Sequence, residues 1–180
     1  MQSTGLGAGN VSKYLKFRRY DVADELSVPA SPVVGLDIGD SLVNLLGESQ
    51  LVVLAGCCGG ADLQHFAMLL DVAEARLGLA EGQTKVICSA SDSAKAVLAL
   101  SSFSGKSSRL AGLCWDRSAF AGDVGCDPAS ATAEFARVQL VIAARAAGVA
   151  AYDCHAGNEA PDAFIRTSLS LGFDGIAVTA

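Results

Sequence analysis

The sequence predicts an α/β protein in which the strands of a parallel sheet are joined by helical crossovers. From residue 50 onwards, short and continuously apolar runs alternate with longer segments of helical periodicity. The strand-like runs begin near residues 51, 85, 110, 149 and 174. Strands that are apolar along their whole length are buried on both faces, as happens when helices cover a parallel sheet.

The first two units of this pattern lie between residues 51 and 101. Residues 51–55 (LVVLA) read as a buried strand, and residues 61–77 follow with apolar side chains at helical spacing. Gly78 is placed to end that helix. Residues 85–89 (KVICS) predict the next strand, and residues 92–101 predict a short helix.

The remaining units complete the pattern. Residues 131–147 form the clearest helix, which places Phe135, Val138, Ile142 and Ala146 on one face, with Gly148 at its end. The other predicted elements are strands over 110–115, 149–152 and 175–179 and a helix over 161–171 that is opened by a proline.

Before residue 50 the pattern is weaker. Residues 21–28 predict one more strand, and residues 29–32 are turn-rich. The glycines of GLGAG, at residues 5–9, follow no strand and therefore lack the context of a dinucleotide-binding turn. We expect a flexible terminus over 1–14 and one domain over 15–180.

Composition excludes several classes of protein. The chain has 180 residues, 51% of them apolar and 18% charged, which is typical of one globular domain and not of a disordered or coiled-coil chain. A net charge of −6 argues against a nucleic-acid partner. The basic cluster of Lys13, Lys16, Arg18 and Arg19 is interpreted as a solvated helix end. No apolar run is long enough to span a membrane and no signal-peptide pattern is present, so a cytoplasmic protein is expected.

Six cysteines are scattered along the chain and do not form a secreted disulfide framework. Reduced, mostly buried thiols are the simplest interpretation. The alternative is a thiol or soft-metal site, because five of the six lie on or just after predicted strands, although no metal-binding spacing supports it. His65 is interpreted as a surface or boundary residue of its helix. The five are Cys57, Cys58, Cys88, Cys114 and Cys154.

Sequence motifs add a family resemblance to this pattern. They are VVLAGCCGGADLQ at 52–64, AEARLGL at 73–79, RLAGLCWDRSAFAGDVG at 109–125, ARVQLVIAARAAGVAAYD at 136–153 and LGFDGIAVTA at 171–180. They resemble the HpcH/HpaI aldolase and citrate lyase β-subunit family, especially its CitE-like branch. RRYDVADELSVPASP at 18–32 resembles that family's third strand more loosely.

Periodicity alone does not distinguish a barrel from an open sheet, but the resemblance does. It implies a partial TIM-type (β/α) barrel of about six parallel strands, corresponding to strands three to eight of the family. It also implies Mg²⁺-assisted cleavage or formation of a carbon–carbon bond in an acyl-CoA thioester or a 2-keto acid. Two carboxylates at strand ends would then hold the ion, and an arginine would bind the substrate carboxylate.

Several family positions carry other residues in this chain. The resemblance places Glu25 where the family has an arginine and Gly56 where it has a lysine. On the sixth family strand, Ser118 and Ala119 replace a glutamate and the metal-binding aspartate. Asp153 and Asp162 match the family, although a charge at a helix N-terminus explains Asp162 equally well.

Two aspartates remain as candidate metal ligands. Asp92 takes the place of the family's metal-binding glutamate when the segment is aligned from its helix, whereas Ser91 takes it when aligned from its strand. Asp116 lies three positions before the lost aspartate, so the strand would need a register shift to bring it into the site.

Two functions follow from these replacements. One is a Mg²⁺-dependent carbon–carbon lyase or aldolase, and the other is a catalytically inactive barrel, either a degenerate paralogue or an assembly or binding subunit. A barrel that lacks two strands would also expose two sheet edges, which predicts a homo-oligomer.

Overall fold

Within the residues that the structure describes, seven strands form a closed barrel with five α-helices. The computed structural model describes residues 14–19, 25–31, 46, 50–157 and 159–179, and of the first two ranges and Thr179 it describes the backbone alone. The strands are β1 (Tyr14–Arg19), β2 (Glu25–Ser31), β3 (Leu51–Leu54), β4 (Lys85–Ser89), β5 (Leu110–Trp115), β6 (Ala150–Ala156) and β7 (Gly175–Thr179). The helices are α1 (Gly60–Leu77), α2 (Ala94–Leu98), α3 (Arg117–Val124), α4 (Ala131–Ala147) and α5 (Asp162–Ser170), with a 3₁₀ turn at Leu100–Phe103.

The predicted set of six parallel strands is confirmed. Strands β3 to β7 form a curled parallel half-barrel with helical crossovers, and β2 extends it in parallel alongside β3. The predicted open edges are wrong, because β1 runs antiparallel to both β2 and β7 and closes the barrel between them. Both outer strands of the parallel set therefore have their backbone groups paired.

The amino-terminal part of the chain departs most from the sequence prediction. Three of the four basic residues lie in strand β1 and not at a helix end, while Lys13 and the GLGAG motif lie outside the described residues. Strand β2 continues to Ser31 through the segment predicted as a turn. Pro29 is tolerated there because its position, opposite Tyr14, ends the β1–β2 ladder, where a missing N–H costs little.

The helices from residue 60 onwards largely follow the prediction. Helices α1 and α4 end at Gly78 and Gly148, whose positive φ values of 68° and 70° give the left-handed cap. Helix α3 was not predicted; it is nucleated by Asp116, whose side chain caps its first turn. No helix in the described part of the chain is both long and apolar enough to cross a membrane.

The buried side chains form two layers separated by the sheet. The larger layer fills the space between the strands and the helices and includes Phe66, Phe103, Trp115 and Leu140. The smaller layer lies inside the barrel and consists of Val53, Ile87, Cys114, Tyr152 and Ala177. Because strand residues alternate between the two layers, each strand sends one face to the helices and the other to the barrel interior.

Helix α4 packs through a different face from the one that its apolar spacing suggests. Its buried side includes Ala133, Ala136, Leu140 and Ala144. Phe135 and Ile142, on the face selected by periodicity, are 65% and 63% exposed. The helix therefore has two apolar faces, and the one with smaller residues approaches the sheet closely.

Two buried ion pairs connect helices to the barrel. Arg109, just before β5, donates hydrogen bonds of 2.6 and 2.8 Å to Glu74 of α1, and it also pairs with Asp71. Arg137 of α4 pairs with Asp153 of β6, whose Oδ2 also accepts a 2.6 Å bond from Ser168. In each pair the opposite charge compensates for a burial that would be energetically costly for either residue alone.

Candidate active site at the carboxyl ends of the strands

The carboxyl ends of β3, β4 and β5 meet at one face of the barrel. Asp92 follows β4, and its Oδ2 accepts a 2.9 Å hydrogen bond from the backbone N–H of Gly56, which follows β3. Its Oδ1 accepts a 2.5 Å bond from the hydroxyl of Ser89 at the end of β4. In barrels of this type the loops after the strands form the active site, so this face is the candidate site.

A second carboxylate lies beside Asp92. Asp116 follows β5, its backbone N–H donates to the Ser91 hydroxyl at 3.0 Å, and Ser91 donates in turn to the carbonyl of Cys114 at 3.3 Å. Oδ1 of Asp116 accepts bonds of 2.9 and 3.0 Å from the N–H groups of Ser118 and Ala119. Asp116 is therefore fixed both as the cap of α3 and as a neighbour of the β4 loop.

The charge of Asp116 acts on the buried carboxylate of Asp92. Burial raises the pKa of Asp92 above its usual value, and the negative charge of Asp116 raises it further. The hydrogen bonds from Ser89 and Gly56 act in the opposite direction, because they stabilise the ionised form. The repulsion between two nearby carboxylates decreases when one of them is protonated or when a cation binds to them.

Strand β5, which Asp116 follows, contains a bulge. Val86 pairs with Leu110 but Ile87 pairs with Gly112, so Ala111 is an extra residue on β5. The extra residue reverses the later alternation and turns Cys114 towards the barrel interior and Trp115 towards the helices. This bulge shifts the strand by one residue, whereas Asp116 lies three positions before the lost aspartate.

The other predicted site residues are placed differently. Gly56 is exposed and contributes its N–H, while Ser118 and Ala119 lie in the first turn of α3, where their side chains form no bond to Asp92 or Asp116 among the described contacts. Glu25 is the first residue of β2, opposite Arg18, at the amino end of the strand. The structure therefore brings Asp92, Asp116 and Gly56 together but not Glu25.

The two family-matching aspartates also lie away from the site. Asp153 faces the helices, where Arg137 and Ser168 bind it, so it joins β6 to α4 and α5. Asp162 is exposed in the first turn of α5. His155 packs its ring on Phe164 at 4.9 Å between centroids.

Four of the cysteines lie in two separate pairs and not in one cluster; three of the four are buried and Cys154 is half-buried. Cys57 and Cys88 are hydrogen-bonded in the helix-facing layer, and this bond lowers the pKa of Cys57 and raises that of Cys88. Cys114 and Cys154 are hydrogen-bonded in the barrel interior, and the bond and burial raise the pKa of Cys114. All six cysteines are free, and no three metal-binding side chains converge within the described residues.

Two cavities adjoin the barrel. One of about 290 Å³ lies beside the candidate site and is lined by Gly56 and Cys57 of the β3–α1 connection and by Asp62 and His65 of helix α1. A larger one of about 470 Å³ lies at the opposite end of β5 and β6, against Arg145 and Asp174. We place the candidate site at the smaller cavity, because the paired carboxylates lie at that end of the barrel.

Solved structures share this fold. RipC from Yersinia pestis aligns with a TM-score of 0.68 and 21% identity, over 85% of this chain and 70% of RipC. An HpcH/HpaI aldolase/citrate lyase family protein from Burkholderia cenocepacia aligns with a TM-score of 0.62 and 17% identity, over 76% of this chain and 62% of that protein. The chain has the fold of that family.

The same fold occurs in CitE from Mycobacterium tuberculosis, solved in complex with magnesium and acetoacetate. It aligns with a TM-score of 0.59 and 17% identity, over 84% of this chain and 61% of CitE. No family model matches the chain, and no curated protein sequence matches it. The predicted resemblance is therefore confirmed at the level of the fold.

Two features of the site were not found from sequence. Ser89 and Ser91 hold Asp92 and Asp116 in place, although Ser91 had been considered only as a substitute for a metal ligand. A hydroxyl at the last position of a buried strand, three residues before an aspartate, is the signal that predicts the first of these contacts. The bulge has no comparable signal, since Ala111 and Gly112 fit a regular strand equally well.

Proposed function

We propose that the chain is a Mg²⁺-dependent carbon–carbon lyase or aldolase that acts on a 2-keto acid or an acyl-CoA thioester. The observation that carries the proposal is the proximity of Asp92 and Asp116 at the carboxyl ends of β4 and β5. The shared fold with a CitE solved with magnesium and acetoacetate supports the class of ligand.

The residues present fit a magnesium ion. Mg²⁺ prefers hard oxygen ligands, keeps several waters and is commonly bound through one or two carboxylates. Asp92 and Asp116 supply two carboxylates on neighbouring loops, and a positive ion would stabilise the ionised form of Asp92, whose pKa is raised by burial and, to a smaller extent, by the charge of Asp116. Bound there, Mg²⁺ would stabilise the negative charge that develops on the oxygens of a keto acid or its enolate.

The chain's own residues would orient these ligands. Gly56 and Ser89 each donate one hydrogen bond to Asp92, which fixes the plane of its carboxylate and leaves further lone pairs on both oxygens. The Ser91 hydroxyl accepts a hydrogen bond from the backbone N–H of Asp116, and the N–H groups of Ser118 and Ala119 donate to its Oδ1, so the backbone and the carboxylate of Asp116 are both held. The neighbouring cavity, with Gly56 exposed on its wall, gives a small anionic substrate access to this edge.

The second candidate is an inactive barrel that serves in binding or assembly. It is favoured by Gly56, which offers no side chain at the position where the resemblance expects a lysine, and by the two protein donors that already engage Asp92. The predicted homo-oligomer is compatible with either function.

Thermal unfolding with added ligands tests the proposal. We expect millimolar Mg²⁺ with oxaloacetate or pyruvate to raise the melting temperature, because a ligand that binds the folded state stabilises it. Asp92→Ala should abolish this shift, whereas Asp162→Ala, which removes an exposed aspartate on α5, should retain it. A wild-type chain that shows no shift and releases no keto acid from a β-hydroxyacyl-CoA would favour the inactive barrel.

A further inference from the structure

Helix α4 carries an apolar stripe that faces away from the barrel. Phe135 and Ile142 are 65% and 63% exposed, Ala131 and Ala146 are exposed at the two ends, and Val138 is half-buried between them. Their spacing of four, three, four and four residues keeps them on one side of the helix. Burial against the sheet does not explain this stripe, because a different face of α4 makes that contact.

The stripe is symmetric about the middle of the helix. A two-fold axis between Val138 and Gln139 would place Phe135 at the height of the partner's Ile142 and Ala131 at the height of the partner's Ala146. Each large side chain then meets a large one, and the alanines at both ends allow the two helix backbones to approach. Such a self-complementary patch is what an isologous dimer requires.

The charges beside the stripe favour the same arrangement. Glu134 and Arg145 lie near opposite ends of α4, and their side chains are 45% and 54% exposed. In the antiparallel pair, Glu134 comes within two residues, about 3 Å along the axis, of the partner's Arg145. A parallel pair would instead set Glu134 against the partner's Glu134, which is repulsive.

We propose that α4 is the centre of a homodimer interface in which two copies of this chain pack their α4 helices antiparallel. The intrachain bonds of the two charged residues, from Glu134 to Arg137 and from Arg145 to Asp174, are retained, so the interface extends existing ion pairs into a network. The interface lies on the helical surface, so it does not compete with ligands at the strand ends.

Sedimentation of the full chain over the micromolar range tests this proposal. We expect the wild-type chain to associate from its monomer mass of 18.3 kDa to a dimer, and Phe135→Asp and Ile142→Glu to remain monomeric. Met68→Glu is the matched control, because Met68 is 58% exposed on α1, outside the stripe, and should leave the dimer intact. Circular dichroism checks that each variant is folded. We expect all of them to fold, because the substituted side chains are exposed.

Photo-crosslinking distinguishes an antiparallel from a parallel arrangement of the two α4 helices. With Phe135→p-benzoylphenylalanine in a mixture of isotopically labelled and unlabelled chains, we expect cross-links to the partner peptide that contains Ile142. A wild-type monomer at the highest concentration, a dimer that survives both Phe135→Asp and Ile142→Glu, or cross-links between the two positions 135 would each overturn the proposal. None of these outcomes depends on the catalytic proposal.

Discussion

The backbone N–H of Gly56 donates a 2.9 Å hydrogen bond to Oδ2 of Asp92, and this bond joins the loops that follow β3 and β4. The absence of a side chain at Gly56 and its positive φ of 67° let the loop turn its N–H towards the carboxylate. The position where the resemblance expects a lysine thus supports Asp92 through the backbone.

We predict that Asp92→Ala and Asp92→Asn differ in stability. Alanine leaves the Gly56 N–H and the Ser89 hydroxyl without their acceptor, which should cost about 1–3 kcal/mol. Asparagine still accepts from Gly56 and removes the charge that burial and Asp116 disfavour, so its free energy of unfolding at neutral pH should match or exceed that of the wild type. Urea denaturation of both variants checks this, and equal losses would contradict the inferred hydrogen-bond role.

The buried pair of Glu74 and Arg109 predicts sensitivity to acid. The hydrogen bond from Arg109 lowers the pKa of Glu74 to about 2 from a usual 4.5, so the unfolded chain binds this proton more readily than the folded chain does. The contribution of Glu74 is therefore full above pH 4.5 and is lost as the pH falls towards 2, by roughly 3 kcal/mol. Chemical denaturation across that range measures the change.

Two substitutions isolate the Glu74 contribution. Glu74→Gln should lower the free energy of unfolding at neutral pH. It should also reduce the fall of that free energy between pH 4.5 and 2, since the side chain at position 74 no longer titrates. Glu81→Gln is the control, because Glu81 is an exposed glutamate in the turn after α1, and its stability should fall with decreasing pH as that of the wild type does. If the stability of Glu74→Gln falls with decreasing pH as steeply as that of the wild type, the acid sensitivity comes from other carboxylates.

Arg137 and Asp153 should behave as a coupled pair. Arg137→Leu leaves Asp153 buried with the Ser168 hydroxyl as its described side-chain donor, and we expect a loss of about 3–5 kcal/mol. The double variant Arg137→Leu with Asp153→Leu should be less destabilised than the sum of the single variants, because no unpaired charge remains. Additive losses in a double-mutant cycle would show that the two residues act independently.

The bulged part of β5 should not tolerate a side chain at position 112. A Cβ on Gly112 would lie 2.7 Å from Cε2 of Tyr152 and 3.0 Å from the carbonyl oxygen of Ala150. Gly112→Ala should therefore lower the free energy of unfolding by about 1–3 kcal/mol, and Tyr152→Leu in the same chain should recover part of that loss. Thermal unfolding of the single and double variants makes the comparison; an alanine at 112 that costs nothing would mean that Tyr152 moves freely.

The parts of the fold that sequence predicts well are those governed by local periodicity and caps. The strand over 110–115 and helix α4, with its terminal Gly148, match because burial on both faces and a left-handed cap leave direct traces in the residues. The packed face of α4 does not follow from the apolar spacing, since alanines approach the sheet and the larger apolar residues point outward. Residue size, and not hydropathy, decided which face was buried.

The candidate site shows a similar division. Asp92 was proposed from an alignment of its helix with the family, and Asp116 as a ligand that needs a register shift of three positions; the bulge at Ala111 shifts β5 by one residue. Glu25 was matched to a family position by its neighbours in sequence, but the strand that contains it begins there and runs on to Ser31. A slip of a few residues at a weakly patterned strand moves a side chain from one end of a barrel to the other.

The closing strand β1 has a consequence for the order in which the chain folds. Its pairing with β7 joins Leu15 to Thr179, residues about 160 positions apart, whereas the parallel neighbours from β3 onwards are joined through single crossovers. Contacts between such distant segments carry the largest loop-closure entropy and form slowly. The half-barrel from β3 to β7, with its crossover helices, can therefore assemble first, and ring closure by β1 becomes the last and slowest step.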